Sequence, residues 1–460
     1  MAKKKRNTFS GSLGFILAAA GSAIGLGNIW RFPYLAARDG GGLFLLIYIL
    51  LAVSFGFTLL ITEVAMGRRS QQGPLTAYGF FHRGWRRLGL LAFTIPFLIY
   101  PYYCVIGGWV MKYLSAYFTL RGYATVSEGY FTSFITSLWS PLFFTGAFCM
   151  AAYYIVYNGV ERGIEKVSRI MMPILVVMMV GISVYSLFIS QTGADGVTRT
   201  GLQGAALYFI PSFEGLTLER LLNIMLDAMG QLFYSLSVAM GIMITYGSYL
   251  KKGVNLGKAV DHIEICDTVI AVLAGMMIVP AVYVFMGTEG MSAGPSLMFV
   301  ALPKVFDSLG WVGMLIGALF FLLVLFAALT SAVSLLEACT SSFIDKFHWS
   351  RRKAVTCVAL VCAMVSAVVS LGYNVLYFEY TLPNGSVGQI LDILDYVTNN
   401  LMMPVLAILT CILMGWITKT QLLVGEMRLN GYRFNRKYLY LVMLRFVAPA
   451  LLFVLLLNAV

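Results

Sequence analysis

Long apolar segments recur along this chain, and they constrain its fold more than any other feature. Most of them reach about 20 residues, the length of α-helix that crosses about 30 Å of hydrocarbon. Of the 460 residues, 60% are hydrophobic and 11% are charged, whereas a soluble protein has about 25% charged residues. Because charge is depleted over whole segments and not at alternate positions, the pattern predicts an all-α polytopic membrane protein and excludes a β-barrel.

Eleven of these segments are predicted to span the membrane. Their approximate limits are 10–37, 41–67, 88–120, 141–158, 163–190, 221–250, 259–287, 310–342, 354–373, 388–417 and 438–458. The loops between them are short, and none has the polar composition of a disordered linker. Residues 1–460 are therefore expected to form a single transmembrane domain.

Lysine and arginine are distributed unevenly over the loops. Clusters precede the first span and follow the second, fourth, sixth, eighth and tenth, whereas the alternate loops hold few cations. By the positive-inside rule, residues 1–9 are predicted to be cytoplasmic and the C-terminus extracytoplasmic. The net charge of +12 then reflects topology. No nucleic-acid partner is expected, because the cations are divided among separate short loops.

Two predicted spans are interrupted by residues that disfavour a helix. The first is predicted to break at Gly21–Gly27, within AGSAIGLGNIWRF (20–32), and the sixth within LFYSLSVAMG (232–241). Glycine costs about 1 kcal/mol in a helix interior, and unwound backbone at membrane depth is tolerated only inside protein or along a cavity. Glycines alone would equally suit close helix packing. Asn28 and Arg31 favour a functional site, because an intramembrane charge is expensive.

The two interruptions lie five spans apart, at matching positions of two sets of five. Because each set contains five spans, an odd number, the second set (221–417) is inverted in the membrane relative to the first (10–190). Span eleven, at 438–458, lies outside this repeat. Paired broken helices of this kind point to a transporter with its binding site near the membrane midplane. Freed carbonyl groups there can coordinate a sodium ion, and freed amide groups can bind a carboxylate.

The segment GSAIGLGNIWRFPYLAARDGGG at 21–42 resembles the first-span signature of the neurotransmitter:sodium symporters, the family with the leucine-transporter fold. Similar segments are EVAMGR (63–68), PYYCVIGGW (101–109), GQLFYSLSVAMGIMITYGSY (230–249), AGPSLMFVALP (293–303), AALTSAVSLLE (327–337) and LDILDYV (391–397). The resemblance implies sodium-coupled symport by alternating access in a bacterial inner membrane. Many members have twelve spans; eleven spans and a short loop after span three suggest a prokaryotic member.

The resemblance implies two sodium sites. The first would use the carbonyl of Ala23 and the side chains of Asn28, Ser235 and Asp267; the second would use the carbonyls of Gly21, Ile24 and Ala327 with the hydroxyls of Thr330 and Ser331. Many relatives have asparagine at the position of Asp267, and the chloride-dependent ones have serine one turn later. A carboxylate here supplies fixed negative charge, so no chloride requirement is expected. The alternative for Asp267 is a solvated position at a helix end.

The substrate class follows from Gly25, where monoamine transporters of the family have aspartate. The missing carboxylate would come from an amino acid substrate, bound at the first sodium, the amides of Leu26 and Gly27 and the hydroxyl of Tyr103. Its amino group would meet carbonyls around Ala23, Tyr234 and Ser237. The side-chain pocket would be lined by Ile99, Tyr103, Tyr234, Val238, Met240, Ser331 and Leu335. These contain no acid or base, so a neutral hydrophobic or aromatic amino acid is expected.

The resemblance also implies an extracellular gate. Arg31 and Asp395 would pair above the substrate, with Tyr103 and Tyr234 as an aromatic lid beneath them. Glu63 is expected to contact the unwound part of span six, whereas Glu337 has either a structural role or a place in a proton path.

Two rival functions share this fold: an ion channel, and a sensor that binds substrate without moving it. An enzyme is not expected, because the three histidines lack metal-ligand spacing and no GxxxxGK[ST] motif is present. The expected partners are a small neutral amino acid and membrane lipid, with no obligatory protein partner evident.

Overall fold

The computed structural model describes residues 8–192, 196–287, 296–383 and 385–459. Most of the predicted cytoplasmic segment 1–9, including its basic residues, lies outside this part of the chain. The described residues are mainly helical. Two short antiparallel hairpins are also present; they pair Ser190–Thr192 with Thr198–Thr200 and Tyr380–Thr381 with Val387–Gly388.

The eleven predicted spans each correspond to one long helix or to a pair of helices. The bounds are Ser12–Ala23 and Gly27–Arg38 (span 1), Gly42–Ser70 (span 2), Leu88–Phe118 (span 3), Trp139–Tyr157 (span 4), Val160–Leu187 (span 5), Leu218–Ser235 and Ile242–Ser248 (span 6), Leu256–Met286 (span 7), Gly310–Phe347 (span 8), Arg351–Leu371 (span 9), Ile390–Ile417 (span 10) and Lys437–Ala459 (span 11). Short helices between them include Pro74–Phe81, Tyr130–Thr136, Gly201–Phe209, Leu302–Ser308 and Gln421–Met427.

Among the described residues, nine helices are long and apolar enough to cross a membrane, and the bent span 1 makes ten. Span 6 differs because its first helix carries Glu219, Arg220 and Asp227 and because six residues separate its two helices. The all-α polytopic fold with breaks in spans 1 and 6 is thereby confirmed.

The break in span 1 is narrower than the sequence predicts. The chain bends by 53° between Ala23 and Gly27, so Gly21 lies inside the first helix and Gly27 begins the second. A glycine inside a helix costs about 1 kcal/mol. Close packing against span 8 offsets this cost, because a Cβ added at Gly21 would lie 3.4 Å from the Cβ of Thr330.

The break in span 6 covers residues 236–241, and its backbone is unusual. Ser237 and Ala239 have φ values of 52° and 58°, and Gly241 has 69°. Non-glycine residues in this left-handed region are strained by about 1–3 kcal/mol each and persist only where their surroundings hold them. The carboxylate of Glu63 in span 2 accepts a 2.6 Å hydrogen bond from the amide of Ala239. This is the contact expected between Glu63 and the unwound segment.

We call one side of the bundle the N-terminal face. It holds the start of span 1, the ends of spans 2, 4, 6, 8 and 10, and the starts of spans 3, 5, 7, 9 and 11. Phe9 is buried there and packs edge-to-face on Phe15, Tyr246 and Tyr249 at 5.6–6.2 Å. The amide of Ser10 donates a 2.9 Å hydrogen bond to buried Glu165 at the start of span 5.

Span 5 is helical through both Gly163 and Pro173, with a wide π-helical turn at Val160–Glu165.

Glu337 in span 8 forms a buried ion pair with Arg351 at the start of span 9. The guanidinium donates to both carboxylate oxygens, at 3.0 and 2.5 Å, and the hydroxyl of Tyr249 donates to Oε1 at 2.6 Å. Arg351 also donates to the carbonyl of Val156 at the end of span 4. Four elements thus meet at this ion pair, which favours the structural role for Glu337.

Candidate functional site

A small cavity lies between the two breaks, where spans 1 and 6 meet spans 3 and 8. It is lined by Ser22, Ala23, Gly25, Gly27, Asn28, Ile99, Tyr103, Tyr234, Ser235, Ser237, Met240, Ile242, Ser331 and Leu335. Its volume of about 20 Å³ holds about one water molecule. An amino acid side chain therefore requires the lining elements to move apart.

The predicted first sodium site is assembled around Asp267, which is fully buried. The amide of Asn28 donates to Oδ1 at 2.9 Å, and the hydroxyl of Ser235 donates to the same oxygen at 2.6 Å. The hydroxyl of Tyr48 in span 2 lies 3.3 Å from Oδ2. The alternative of a solvated position for Asp267 is therefore wrong.

No arginine, lysine or histidine within the described residues forms an ion pair with Asp267. Burial of an isolated carboxylate is costly unless a cation or a proton neutralises it. The surrounding groups are amide, hydroxyl and carboxylate oxygens, which hard cations prefer. The described residues hold no cluster of three histidine, cysteine, aspartate or glutamate side chains that would favour a transition metal.

Groups predicted for the second sodium site lie where span 1 crosses span 8. Gly21 lies close to Thr330, since a Cβ added at Gly21 would lie 3.4 Å from the Cβ of Thr330, and all five predicted residues are buried. The hydroxyl of Thr330 donates to the carbonyls of Phe326 or Ala327, at 3.0 and 3.1 Å. The hydroxyl of Ser331 donates instead to the carbonyl of Ser22 at 3.0 Å.

Most residues predicted to bind the substrate's carboxylate and amino group line the cavity, namely Ala23, Gly27, Tyr103, Tyr234 and Ser237. Leu26 is not a lining residue, but its amide donates a 3.2 Å hydrogen bond to the hydroxyl of Tyr103, which is. The hydroxyl of Ser237 donates to the carbonyl of Ser22 at 3.0 Å. Polar groups freed by both breaks thus converge on one point.

Two glycines allow close approach at the cavity. A Cβ at Gly25 would lie 3.0 Å from both the hydroxyl of Tyr103 and that of Ser331, and a Cβ at Gly27 would lie 2.5 Å from the ring of Tyr234. Larger residues at either position would fill the cavity or displace the tyrosine ring.

The predicted gate residues do not touch in this structure. In the part of the chain that the structure describes, no ion pair within 4 Å joins Arg31 to Asp395. The carboxylate of Asp395 accepts a 2.6 Å hydrogen bond from Asn399 on its own helix. The guanidinium of Arg31 lies beside Gly230 of span 6, 3.4 Å from the position of a Cβ there. The expected pair is therefore separated here.

Val238 was predicted to line the substrate pocket, and this is wrong. It lines a separate cavity with Glu63, Leu59, Thr62, Ala407 and Leu444. Ile242 occupies the central cavity instead. The left-handed residues on either side of Val238 turn its side chain away from the position that a regular helix predicts.

Sequence reasoning also missed Ser22 and Tyr48, and did not assign Gly25 to the lining. Ser22 lies between two predicted ligands, Gly21 and Ala23, and this position in the sequence could have identified it as a site residue. Tyr48 is a polar residue within the apolar run of span 2. Only its 3.3 Å contact with Asp267 shows that it belongs to the site.

A helical membrane bundle with a closed, oxygen-lined cavity between two broken spans defines the architecture of a secondary transporter. The model of the Sodium:neurotransmitter symporter family matches residues 6–138 and 142–460. The chain belongs to this family. It is a sodium-dependent symporter and a multi-pass membrane protein.

Individual relatives agree with this assignment. The chain is 34% identical, over 100% of its length and 99% of the relative's, to an uncharacterized sodium-dependent transporter of Bacillus subtilis. It is 33% identical, over 91% of its length and 83% of the relative's, to another from Methanocaldococcus jannaschii. Among solved structures it is similar to MhsT in complex with L-phenylalanine, with a TM-score of 0.86, 35% identity and coverage of 99% of this chain and 100% of that one.

Proposed function

We propose that this symporter imports neutral hydrophobic or aromatic L-amino acids, coupled to two sodium ions and independent of chloride. One observation carries the proposal: Asp267 is a buried carboxylate without a cationic partner among the described residues, held by Asn28 and Ser235 beside the cavity. A sodium ion there would neutralise it. Because the carboxylate already supplies negative charge, a chloride ion is not needed.

The lining of the cavity supports a neutral substrate. It contains hydroxyl groups and backbone from both breaks at one side, and Ile99, Met240, Ile242 and Leu335 elsewhere. No acidic or basic side chain lines it, and burial of an unpaired charged side chain would be costly. A flexible methionine adapts to different shapes, which suits several substrate sizes. MhsT, the similar structure, was solved with L-phenylalanine.

The substrate's carboxylate would complete the first sodium site near Asn28, with the amide of Leu26 and the hydroxyl of Tyr103. The second ion would bind where span 1 crosses span 8, among the carbonyls of Gly21, Ile24 and Ala327 and the hydroxyls of Thr330 and Ser331. Because this second site bridges two spans, its occupancy would favour one arrangement of them over another.

Alternating access would follow from movement of the two halves, 10–190 and 221–417, around this site. The distribution of cations supports a cytoplasmic N-terminus and an extracytoplasmic C-terminus in a bacterial inner membrane. Loading would draw Arg31 to Asp395 above Tyr103 and Tyr234. Opening at the N-terminal face would release Phe9 and Ser10. Each unit charge moved down 100 mV supplies about 2.3 kcal/mol, so two sodium ions can drive strong accumulation.

The test is uptake by purified protein in liposomes. Radiolabelled leucine, phenylalanine, tyrosine, tryptophan, glutamate and lysine would be supplied with an inward sodium gradient or with potassium, in chloride or gluconate. Accumulation of the neutral amino acids that requires sodium and persists in gluconate is the expected result.

Each rival predicts a different result in the same assay. A sensor would show sodium-dependent binding without accumulation. A channel would pass sodium without any amino acid and would concentrate none. Uptake that is lost in gluconate would contradict chloride independence while leaving symport intact.

A further inference from the structure

A cleft of about 520 Å³ opens on the N-terminal face, away from the transport site. It lies between the loop helix Pro74–Phe81, the segment that leads into span 3 and the end of span 8. Three cations line it: Arg83, Arg86 and Lys346. The only carboxylate at the cleft among the described residues is that of Asp345, which accepts a 2.5 Å hydrogen bond from the amide of Gly73.

The three cations have no protein partner within the described residues: none forms an ion pair or a side-chain hydrogen bond there. Two other arginines on this face are paired, Arg68 with Glu426 and Arg351 with Glu337. Like charges gathered in one cleft repel each other, so an anion bound there would stabilise the arrangement.

Two exposed aromatic residues lie at or next to the cleft: Phe80 lines it, and Phe347 follows the lining residue Lys346 in the chain. Phe80 and Phe347 are 51% and 50% exposed. The ring of Phe347 is followed by those of Phe343, Phe93 and Phe97, with successive centroids 5.3–5.6 Å apart. This aromatic stripe, Phe347–Phe343–Phe93–Phe97, runs along spans 3 and 8, away from the cations and toward the apolar interior of the membrane.

We propose that the cleft binds the headgroup of an anionic phospholipid. The phosphate would lie among Arg83, Arg86 and Lys346, and the acyl chains would follow the aromatic stripe. The proposed topology places this face in the cytoplasmic leaflet, where anionic lipid attracts each nearby lysine or arginine by about 1 kcal/mol. A cationic cleft whose lining residue Lys346 directly precedes the first residue of an apolar stripe matches a phospholipid better than it matches a free anion.

The loop helix connects this cleft to the break in span 6. Its first residue, Pro74, packs against Gly241, where a Cβ would meet the proline ring at 2.8 Å. Its Tyr78 hydroxyl lies 2.9 Å from the hydroxyl of Thr410 in span 10. A headgroup bound to the other end of this helix would therefore stabilise an element that borders the moving part of the transporter.

The test measures thermal unfolding of the full-length protein in a neutral detergent, titrated with dioctanoylphosphatidylglycerol. Dioctanoylphosphatidylcholine and inorganic phosphate serve as comparison ligands. The double variant Arg83→Gln/Arg86→Gln is compared with Arg428→Gln/Arg433→Gln, which removes two exposed cations from another loop on the same face. The single variant Lys346→Gln provides an independent probe if the first double variant folds poorly.

Phosphatidylglycerol is expected to raise the unfolding temperature of the wild type and of the Arg428/Arg433 variant at similar concentrations. The concentration needed should rise at least about tenfold in Arg83→Gln/Arg86→Gln and roughly fivefold in Lys346→Gln, since about 1 kcal/mol is lost per cation. An equal response to phosphatidylcholine or to phosphate alone would overturn the proposal. So would equal losses in both double variants, which would indicate attraction by net charge only.

Discussion

The side-chain amide of Asn28 donates a 2.9 Å hydrogen bond to the carboxylate of Asp267. This contact joins the helix that follows the break in span 1 to the middle of span 7. Ser235, the last residue before the break in span 6, donates to the same carboxylate oxygen at 2.6 Å. The two breaks are thus tied to one buried negative charge, which links the cation site to the elements that must move.

Replacement of Asp267 by asparagine tests the source of that charge. Sodium-driven uptake in gluconate is expected to fall tenfold or more, because loss of a buried charge interaction costs more than about 1.4 kcal/mol. Uptake assays in liposomes measure the effect. Asp261→Asn removes a more exposed carboxylate on the same helix and is the control. The additional change Ala271→Ser, one turn later, should restore uptake only in chloride. Unchanged uptake by Asp267→Asn in gluconate would refute the role of the carboxylate.

Gly25 leaves the space that the substrate needs. In Gly25→Ala the added methyl group would lie 3.0 Å from the hydroxyls of Tyr103 and Ser331, so substrate affinity should fall about tenfold through crowding of a well-packed site. Equilibrium binding of a labelled amino acid in saturating sodium measures this. The control is Gly146→Ala in span 4, where a Cβ meets nothing within 4 Å. Equal affinity in both variants would place the substrate elsewhere.

Met240 and Val238 test whether side chains at the break in span 6 face the cavities that the structure shows or those that a regular helix predicts. Met240 lines the central cavity, whereas Val238 lines the cavity beside Glu63. Met240→Ala should therefore change the ratio of tryptophan to leucine uptake about fivefold or more, since truncation of a pocket side chain shifts binding by roughly 1–3 kcal/mol. Val238→Ala should leave that ratio unchanged even if total uptake falls. A larger change of selectivity in Val238→Ala would contradict the observed backbone of the break.

Arg31 and Asp395 are expected to pair during transport although they are separated here. Each single charge reversal, Arg31→Asp or Asp395→Arg, should lower uptake about tenfold, because it places like charges together at the gate. The double reversal should recover most of the loss, as interacting residues do in a double-mutant cycle. Initial rates of uptake measure both effects. A double variant with the summed losses of the two singles would show that the residues act independently.

Glu337 supports the packing of spans 8 and 9 through Arg351. Glu337→Gln leaves a mostly buried guanidinium without a negative partner, which should cost about 3–5 kcal/mol of stability. A clear fall in the unfolding temperature of the detergent-solubilised protein is the expected result. Glu161→Gln, at an exposed carboxylate in span 5, is the matched control. If Glu337→Gln unfolds at the wild-type temperature but loses uptake, the proton-path alternative gains support.

Much of the architecture was predictable because it depends on local chemistry. The length of an apolar segment decides whether a helix can cross the membrane. Each of the eleven predicted segments therefore corresponds to a helix or a pair of helices, and ten of them, all but span 6, are long and apolar enough to cross a membrane. Polar residues and glycines at membrane depth marked both breaks, because such residues are costly unless they serve a site. The motifs around Asn28, Ser235 and Thr330 indicated which oxygen groups would be gathered at the cavity.

The tertiary structure decided which way side chains face once the helix is broken. Helical periodicity assumes constant backbone angles, and the left-handed residues Ser237 and Ala239 interrupt it. Val238 therefore lines a cavity other than the predicted one, and Ile242, for which no role was predicted, lines the central cavity. Asp267 and Glu337 each have a partner from a segment distant in sequence, Tyr48 and Tyr249 respectively, and no local pattern predicts such contacts. The separation of Arg31 from Asp395 likewise depends on how whole helices are placed, because side-chain identity sets the possible pairs and packing selects among them.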